Sequence, residues 1–119
     1  WQASADRLTA AFAAAESGRR VLLVELSDTI RFSVPRAIGF QLLDTLVHTW
    51  DVATALGESF HPDEHLVEAT LALAAQVPEG PARDLPNSQF APALAPNGAD
   101  PWDHVLALLG RRSPTSTMP

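Results

Sequence analysis

The stretch 39–57, GFQLLDTLVHTWDVATALG, constrains the fold of this chain more than any other part of the sequence. At the helical period of 3.6 residues, one side of this stretch collects the apolar residues Leu42, Leu43, Leu46, Val47 and Trp50. A polar stripe occupies the other side and consists of Gln41, Asp44, His48 and Asp51. The stretch therefore predicts a long amphipathic helix over about 35–56, which ends at Gly57.

Helical spacing recurs in three other segments, so the sequence predicts a mainly α fold. Apolar residues on both sides of a Ser-Asp-Thr turn fit either a short extended crossover or a hairpin at about 21–34. Repeated prolines and glycines predict a Pro-rich loop at 78–100. The other predicted helices lie at 2–16, at 62–76 with Pro62 in its first position, and from Pro101 to a stop at Gly110.

Length and composition predict a single helical domain at 1–112, followed by a disordered tail at 113–119. The chain has 119 residues, of which 46% are hydrophobic, and this suffices for one core. Its formal charge is -6, and the sequence shows no basic patch that could neutralise phosphates, so we expect no nucleic-acid partner. No apolar run is long enough to cross a bilayer, so we expect a cytoplasmic protein without a membrane partner.

Asp44 and His48 form the first candidate site, because residues four apart on a helix project from the same face. The chain has no cysteine, so a metal site must use histidine, carboxylate and water. Two ligands do not complete such a site, and a third must come from another helix. The alternative is that the whole polar stripe is the solvated face of an amphipathic helix.

The spacing of the other histidines indicates structural roles rather than sites. His61 and His65 are also four apart, but Pro62 at the first helical position would place His61 at the cap, where the two side chains no longer share a face. His104, beside Asp103 on the last helix, is typical of a surface pair. Neither group is predicted to be a site.

A family resemblance rests on the string DTLVHTWDVA at 44–53. It resembles the acidic-x-x-x-His-x-Trp-Asp-Leu-Ala segment of the actinobacterial mycothiol-dependent maleylpyruvate isomerase-like proteins, which belong to the DinB-like four-helix bundle superfamily. Three later strings extend the resemblance over nearly the whole chain, namely FHPD at 60–63, FAP at 90–92 and VLALLGR at 105–111.

The resemblance implies a DinB-like helical bundle that binds a divalent metal, such as zinc or nickel, through three ligands. Two of them correspond to Asp44 and His48, although the family usually has Glu at the first position. Asp51 and Gln41 would then be outer partners that hydrogen-bond to the ligands. The implied activity is that of a metal-dependent thiol transferase or isomerase, with mycothiol as cosubstrate and a small-molecule substrate.

The third ligand of the family is a histidine on an early helix, but no histidine precedes His48 in this sequence. We therefore expect the chain to correspond to the C-terminal part of a DinB-like bundle. A homodimer or a missing N-terminal segment would supply the third ligand and cover apolar helix surface. The alternative from another class is a non-enzymatic helical interaction or dimerisation module that binds no metal.

Overall fold

A computed structural model describes residues 1–16, 18–24, 28–86, 88, 90–96 and 98–114 of the chain. The described residues are mainly helical with a small two-stranded hairpin, as the sequence predicts. Their contacts divide them into two compact units, Trp1–Leu42 and Leu43–Pro119. The elements are α1 (Gln2–Ala14), β1 (Arg20–Leu22), β2 (Arg31–Ser33), α2 (Val34–Ala55), α3 (Glu64–Ala74), a 3₁₀-helix (Pro81–Asp84) and α4 (Pro101–Leu108).

The first unit contains α1, the hairpin and the start of α2. Of the two structures that fit 21–34, the hairpin is present, because β1 pairs antiparallel with β2 and Val21 lies opposite Phe32. The ring of Phe32 packs edge-on against Phe40, with centroids 5.5 Å apart. None of the residues of α1, all of which are described, is buried. Part of the predicted crossover, 25–27, and the tail from residue 115 onward lie outside the described residues.

The second unit has one apolar core, to which three helices contribute. Its buried side chains come from the second part of α2, from α3 and from α4, and Trp50 of α2 is half-buried against them. Trp50 thus has the packing role that its position opposite the polar stripe predicts. The buried residues of this core are Leu43, Val47, Val67, Ala74, Trp102, Val105, Leu106 and Leu109.

Helix α4 begins and ends where the sequence predicts. The Asp100 carboxylate caps it by accepting a hydrogen bond from the backbone N–H of Trp102 at 3.1 Å, and Pro101 occupies the first turn. Gly110 ends the helix with φ 77°, a conformation that glycine adopts without strain. The N–H of Arg111 then donates to the carbonyl of Leu106 at 2.7 Å, which completes a Schellman turn.

Helix α3 starts two residues later than predicted. Asp63, rather than His61, is the N-cap, and Pro62 precedes the helix instead of opening it. The Asp63 side chain makes no capping hydrogen bond, and the His61 ring contacts Pro62 and Asp100 instead of the start of α3. No helix among the described residues has the length and apolar character needed to span a membrane.

Candidate functional site

Helix α2 brings Asp44 and His48 together on the face that their spacing predicts. His48 Nε2 lies 3.1 Å from Asp44 Oδ1. Leu43 and Val47, their neighbours in sequence, are buried in the core, so packing of the apolar side fixes which face the two polar side chains share. The side chains are 43% exposed for His48 and 48% exposed for Asp44, so water and ions can reach the pair.

The other ring nitrogen of His48 contacts Asp51, one turn further along α2. His48 Nδ1 lies 2.9 Å from Asp51 Oδ2. The ring is therefore held between two carboxylates. Only a doubly protonated imidazole can donate to both, whereas a neutral ring that donates to Asp51 presents an electron pair at Nε2. The second arrangement is the one in which a histidine binds a metal while its other nitrogen donates to a carboxylate.

Arg111 holds Asp51 from the end of α4. Its Nε donates to Asp51 Oδ1 and its Nη2 donates to Asp51 Oδ2, both at 2.6 Å, in the bidentate geometry that makes arginine–carboxylate pairs strong. The hydrogen bond from Arg111 is the main reason why the pKa of Asp51 lies below its ordinary value of 3.8. Partial burial opposes this shift, and the contact with His48 adds to it.

Asp44 and His48 fit two positions around one divalent ion. Ligand-to-metal distances of about 2.0–2.2 Å place two neighbouring ligand atoms about 2.8–3.5 Å apart, for coordination angles from square to tetrahedral. The 3.1 Å between Asp44 Oδ1 and His48 Nε2 lies in that range. Asp51 is on the other ring nitrogen and cannot ligate the same ion. The described residues contain no group of three or more His, Cys, Asp or Glu side chains that could hold a metal.

The other residues of interest lie elsewhere. Gln41 belongs to the first unit, where its side chain is exposed. Its role as a hydrogen-bond partner of the metal ligands stays a prediction. His65 is exposed on α3, and His104 is half-buried on α4. No sequence pattern indicates that Arg111 contacts Asp51, because the two residues are 60 apart and the contact depends on the turn at the end of α4.

His61 pairs with Asp100 and not with His65. Its Nδ1 donates to the Pro62 carbonyl at 2.9 Å, and its Nε2 lies 3.2 Å from Asp100 Oδ2. The hydrogen bond to Pro62 and then the Asp100 carboxylate raise the pKa of His61 above its ordinary value of 6.5. His61 therefore links the start of α3 to the cap of α4, which is a structural role.

Comparison with known proteins finds relatives in Mycobacterium tuberculosis. Two proteins named only as uncharacterized proteins, one from strain CDC 1551 / Oshkosh and one from strain ATCC 25618 / H37Rv, are each 39% identical to the chain over 75 residues. The match covers 62% of this chain and 41% of each relative, so it spans less than half of their length. No protein-family profile and no solved structure matches the chain.

Proposed function

We propose that this chain is part of a DinB-like metal-binding protein related to the mycothiol-dependent isomerases and thiol transferases. Asp44 and His48 are two of the ligands of a divalent ion, with zinc and nickel as the leading candidates. The observation that carries the proposal is the pairing of Asp44 Oδ1 with His48 Nε2 at 3.1 Å, while Asp51 occupies the other ring nitrogen.

The remaining protein ligand is proposed to come from outside the described residues. A second copy of the chain or an N-terminal segment would supply it, in line with the family pattern of an early histidine. The half-exposed position of Asp44 and His48 supports this, because a further chain can approach both ligand atoms. The actinobacterial relatives, of which the match covers 41%, also have length to hold further elements.

A bound divalent ion would act as a Lewis acid that favours the thiolate form of a thiol cosubstrate. The residues of this chain would bind the ion and orient its ligands. Asp44 contributes negative charge, which favours a cation at this face of α2. His48 contributes a neutral nitrogen ligand, and Asp51 keeps the imidazole oriented toward Asp44 by accepting the hydrogen bond from Nδ1.

The second candidate is a helical interaction module without a metal. It is favoured by one observation: a protonated His48 donating to Asp44 and Asp51 satisfies both ring nitrogens with no ion present. In that case the three side chains form a surface ion-pair network, whose individual pairs contribute only about 0.2–1 kcal/mol. Elemental analysis of protein purified without added metal separates the two candidates, since the module contains no stoichiometric metal.

Isothermal titration with zinc, and separately with nickel, tests the proposal. In the wild-type chain Asp44 and His48, completed by water or by a second copy of the chain, should bind one of the two ions, and His48→Ala should abolish the binding. His65→Ala is the matched control, because His65 is another exposed helical histidine of the same unit and should leave binding unchanged. A wild-type chain that binds neither ion, or an equal loss in both variants, contradicts the assignment.

A further inference from the structure

A continuous line of hydrogen bonds runs from the end of α4 to the candidate ligand His48. Arg111 donates twice to Asp51, and the Oδ2 atom of Asp51 is shared, because it lies 2.6 Å from Arg111 Nη2 and 2.9 Å from His48 Nδ1. On its far side, the His48 ring has Nε2 beside Asp44. Among the described residues, Asp51 is what connects Arg111 to the candidate site.

The chemistry of the guanidinium fixes the direction of these hydrogen bonds. Arginine has five N–H donors and no acceptor, so both oxygens of Asp51 must accept. An ionised carboxylate can only accept, so Asp51 Oδ2 and Asp44 Oδ1 compete for the single ring proton of a neutral His48. The contact with Asp51 is the shorter one, at 2.9 Å against 3.1 Å, and Asp51 is held in place by Arg111, so the geometry favours the proton on Nδ1 and the free electron pair on Nε2, next to Asp44.

We propose that Arg111 is a positioning residue that sets the tautomer of His48 through Asp51. This inference rests on the proposed function in one respect, which is that the ligand at Nε2 is a divalent cation. The tautomer itself is a property of the chain without any ligand. Arg111 is not itself a ligand, since its guanidinium faces Asp51 and remains positively charged.

Arg111 is held firmly enough to act in this way. Its backbone N–H closes the turn after Gly110 by donating to Leu106, and its Nη1 donates to the Leu109 carbonyl at 3.0 Å. Its guanidinium also lies over the ring of Phe90, 5.6 Å from the centroid, and its side chain is only 16% exposed. The neighbouring Arg112 is exposed.

Nitrogen NMR of the labelled imidazole in the metal-free chain tests the proposal. The spectrum is recorded at alkaline pH, with the imidazole in its neutral form. In the wild type the proton should remain on Nδ1, and in Arg111→Gln the population should move toward the form protonated at Nε2. Arg111→Lys keeps the charge without the two-point contact and should give an intermediate population. Arg112→Gln is the matched control and should resemble the wild type.

Zinc affinity provides a second readout. Loss of a carboxylate or of its support behind a ligating histidine typically costs about 10-fold to 100-fold in metal affinity. We expect a loss of about that size in Arg111→Gln and an unchanged affinity in Arg112→Gln. Circular dichroism confirms that each variant is folded before it is compared, and if Arg111→Gln does not fold, Arg111→Lys carries the comparison.

The outcomes separate this inference from the proposed function. An unchanged His48 tautomer in folded Arg111→Gln and Arg111→Lys overturns the positioning role, whether or not zinc binds. A wild-type chain that keeps the proton on Nδ1 but binds no zinc at His48 overturns the proposed function and leaves the positioning role standing. A shifted tautomer together with a weakened affinity supports both.

Discussion

Single arginines connect segments of this chain that the sequence places far apart. Arg83 is the second example beside Arg111, and its side chain is only 5% exposed and ion-paired with Glu79 at 2.7 Å. Its nitrogens donate to backbone carbonyls at the end of α3, in the Pro-rich loop and at the end of α4. Those carbonyls are Val77 at 3.3 Å, Pro78 at 2.9 Å, Ala91 at 3.1 Å and Leu108 at 2.7 Å. Arg83 therefore connects the described part of the loop 78–100 to the ends of α3 and α4.

Replacement of Arg83 should be strongly destabilising. Arg83→Met removes four hydrogen bonds from a buried side chain to backbone carbonyls, and we expect it to lower the free energy of unfolding by about 2–4 kcal/mol. Arg112→Met, at an exposed arginine, should change it by no more than about 0.5 kcal/mol. Urea denaturation measures both. Similar values for the two variants would contradict the role given to Arg83.

The ion pair of His61 with Asp100 should make stability depend on pH. Because the pKa of His61 is raised above 6.5 in the folded chain, its contribution is present in full below that pH and is lost as the pH rises through the folded pKa. The side chain is 54% exposed, so the contribution should be only about 0.2–1 kcal/mol. Asp100 and Asp103 are the acidic groups that act on His61.

Denaturation of the wild type and His61→Gln at about pH 5.5 and about pH 8.5 measures this contribution. The difference between the two proteins should be larger at the lower pH. Asp100→Asn is the control, because asparagine also caps helices well but carries no charge, and it should reduce the same pH dependence. A difference that grows toward high pH would contradict the ion pair.

The turn at the end of α4 determines where the Arg111 side chain lies. Two glycines with positive φ end helices here, Gly57 after α2 with φ 76° and Gly110 after α4 with φ 77°. They differ in their surroundings. A Cβ on Gly57 would meet nothing within 4 Å, whereas one on Gly110 would lie 2.7 Å from both the Cβ and the carbonyl oxygen of Ala91. The turn that positions Arg111 thus depends on the close approach of the loop.

Alanine substitution at the two glycines separates conformational strain from steric clash. Gly57→Ala carries only the left-handed backbone cost of about 1–2 kcal/mol. Gly110→Ala carries the same cost and in addition must displace Ala91, which should add about 1–3 kcal/mol. Thermal denaturation compares the two variants. If Gly110→Ala lowers the stability no more than Gly57→Ala does, the result would contradict the close packing of Ala91 against Gly110.

Helix α1 should be the least protected helix of the chain. It has no buried residue, and 13 residues alone form a marginal helix in water, whereas α4 buries Trp102, Val105, Leu106 and Ala107. Hydrogen exchange of the monomeric protein should be fast throughout α1 and slow in α4. Equal protection of the two helices in a monomer would contradict this. Protection of α1 that appears only on association would identify it as an interface.

For the molecule as a whole, local sequence patterns predicted the helices and the helix face that Asp44 and His48 share. The spacing of Asp44 and His48, and Asp100-Pro101 and Gly110 at the ends of α4, are local patterns, and the structure follows them. The predicted start of α3 was wrong because Pro62 and Asp63 are both typical of helix starts. The sequence also does not show that His61 contacts Asp100. The contacts of Arg83 and Arg111 depend on where distant segments pack, so spacing could not reveal them.

Nitrogen NMR of His48 during a zinc titration tests whether Asp44 and His48 bind a divalent ion. We expect Nε2, the nitrogen beside Asp44, to respond to zinc, while Nδ1 keeps its proton and continues to donate to Asp51. Asp44→Asn should weaken the response. A His48 ring that stays unchanged as zinc is added in excess, or that responds at Nδ1, would contradict the proposed metal site.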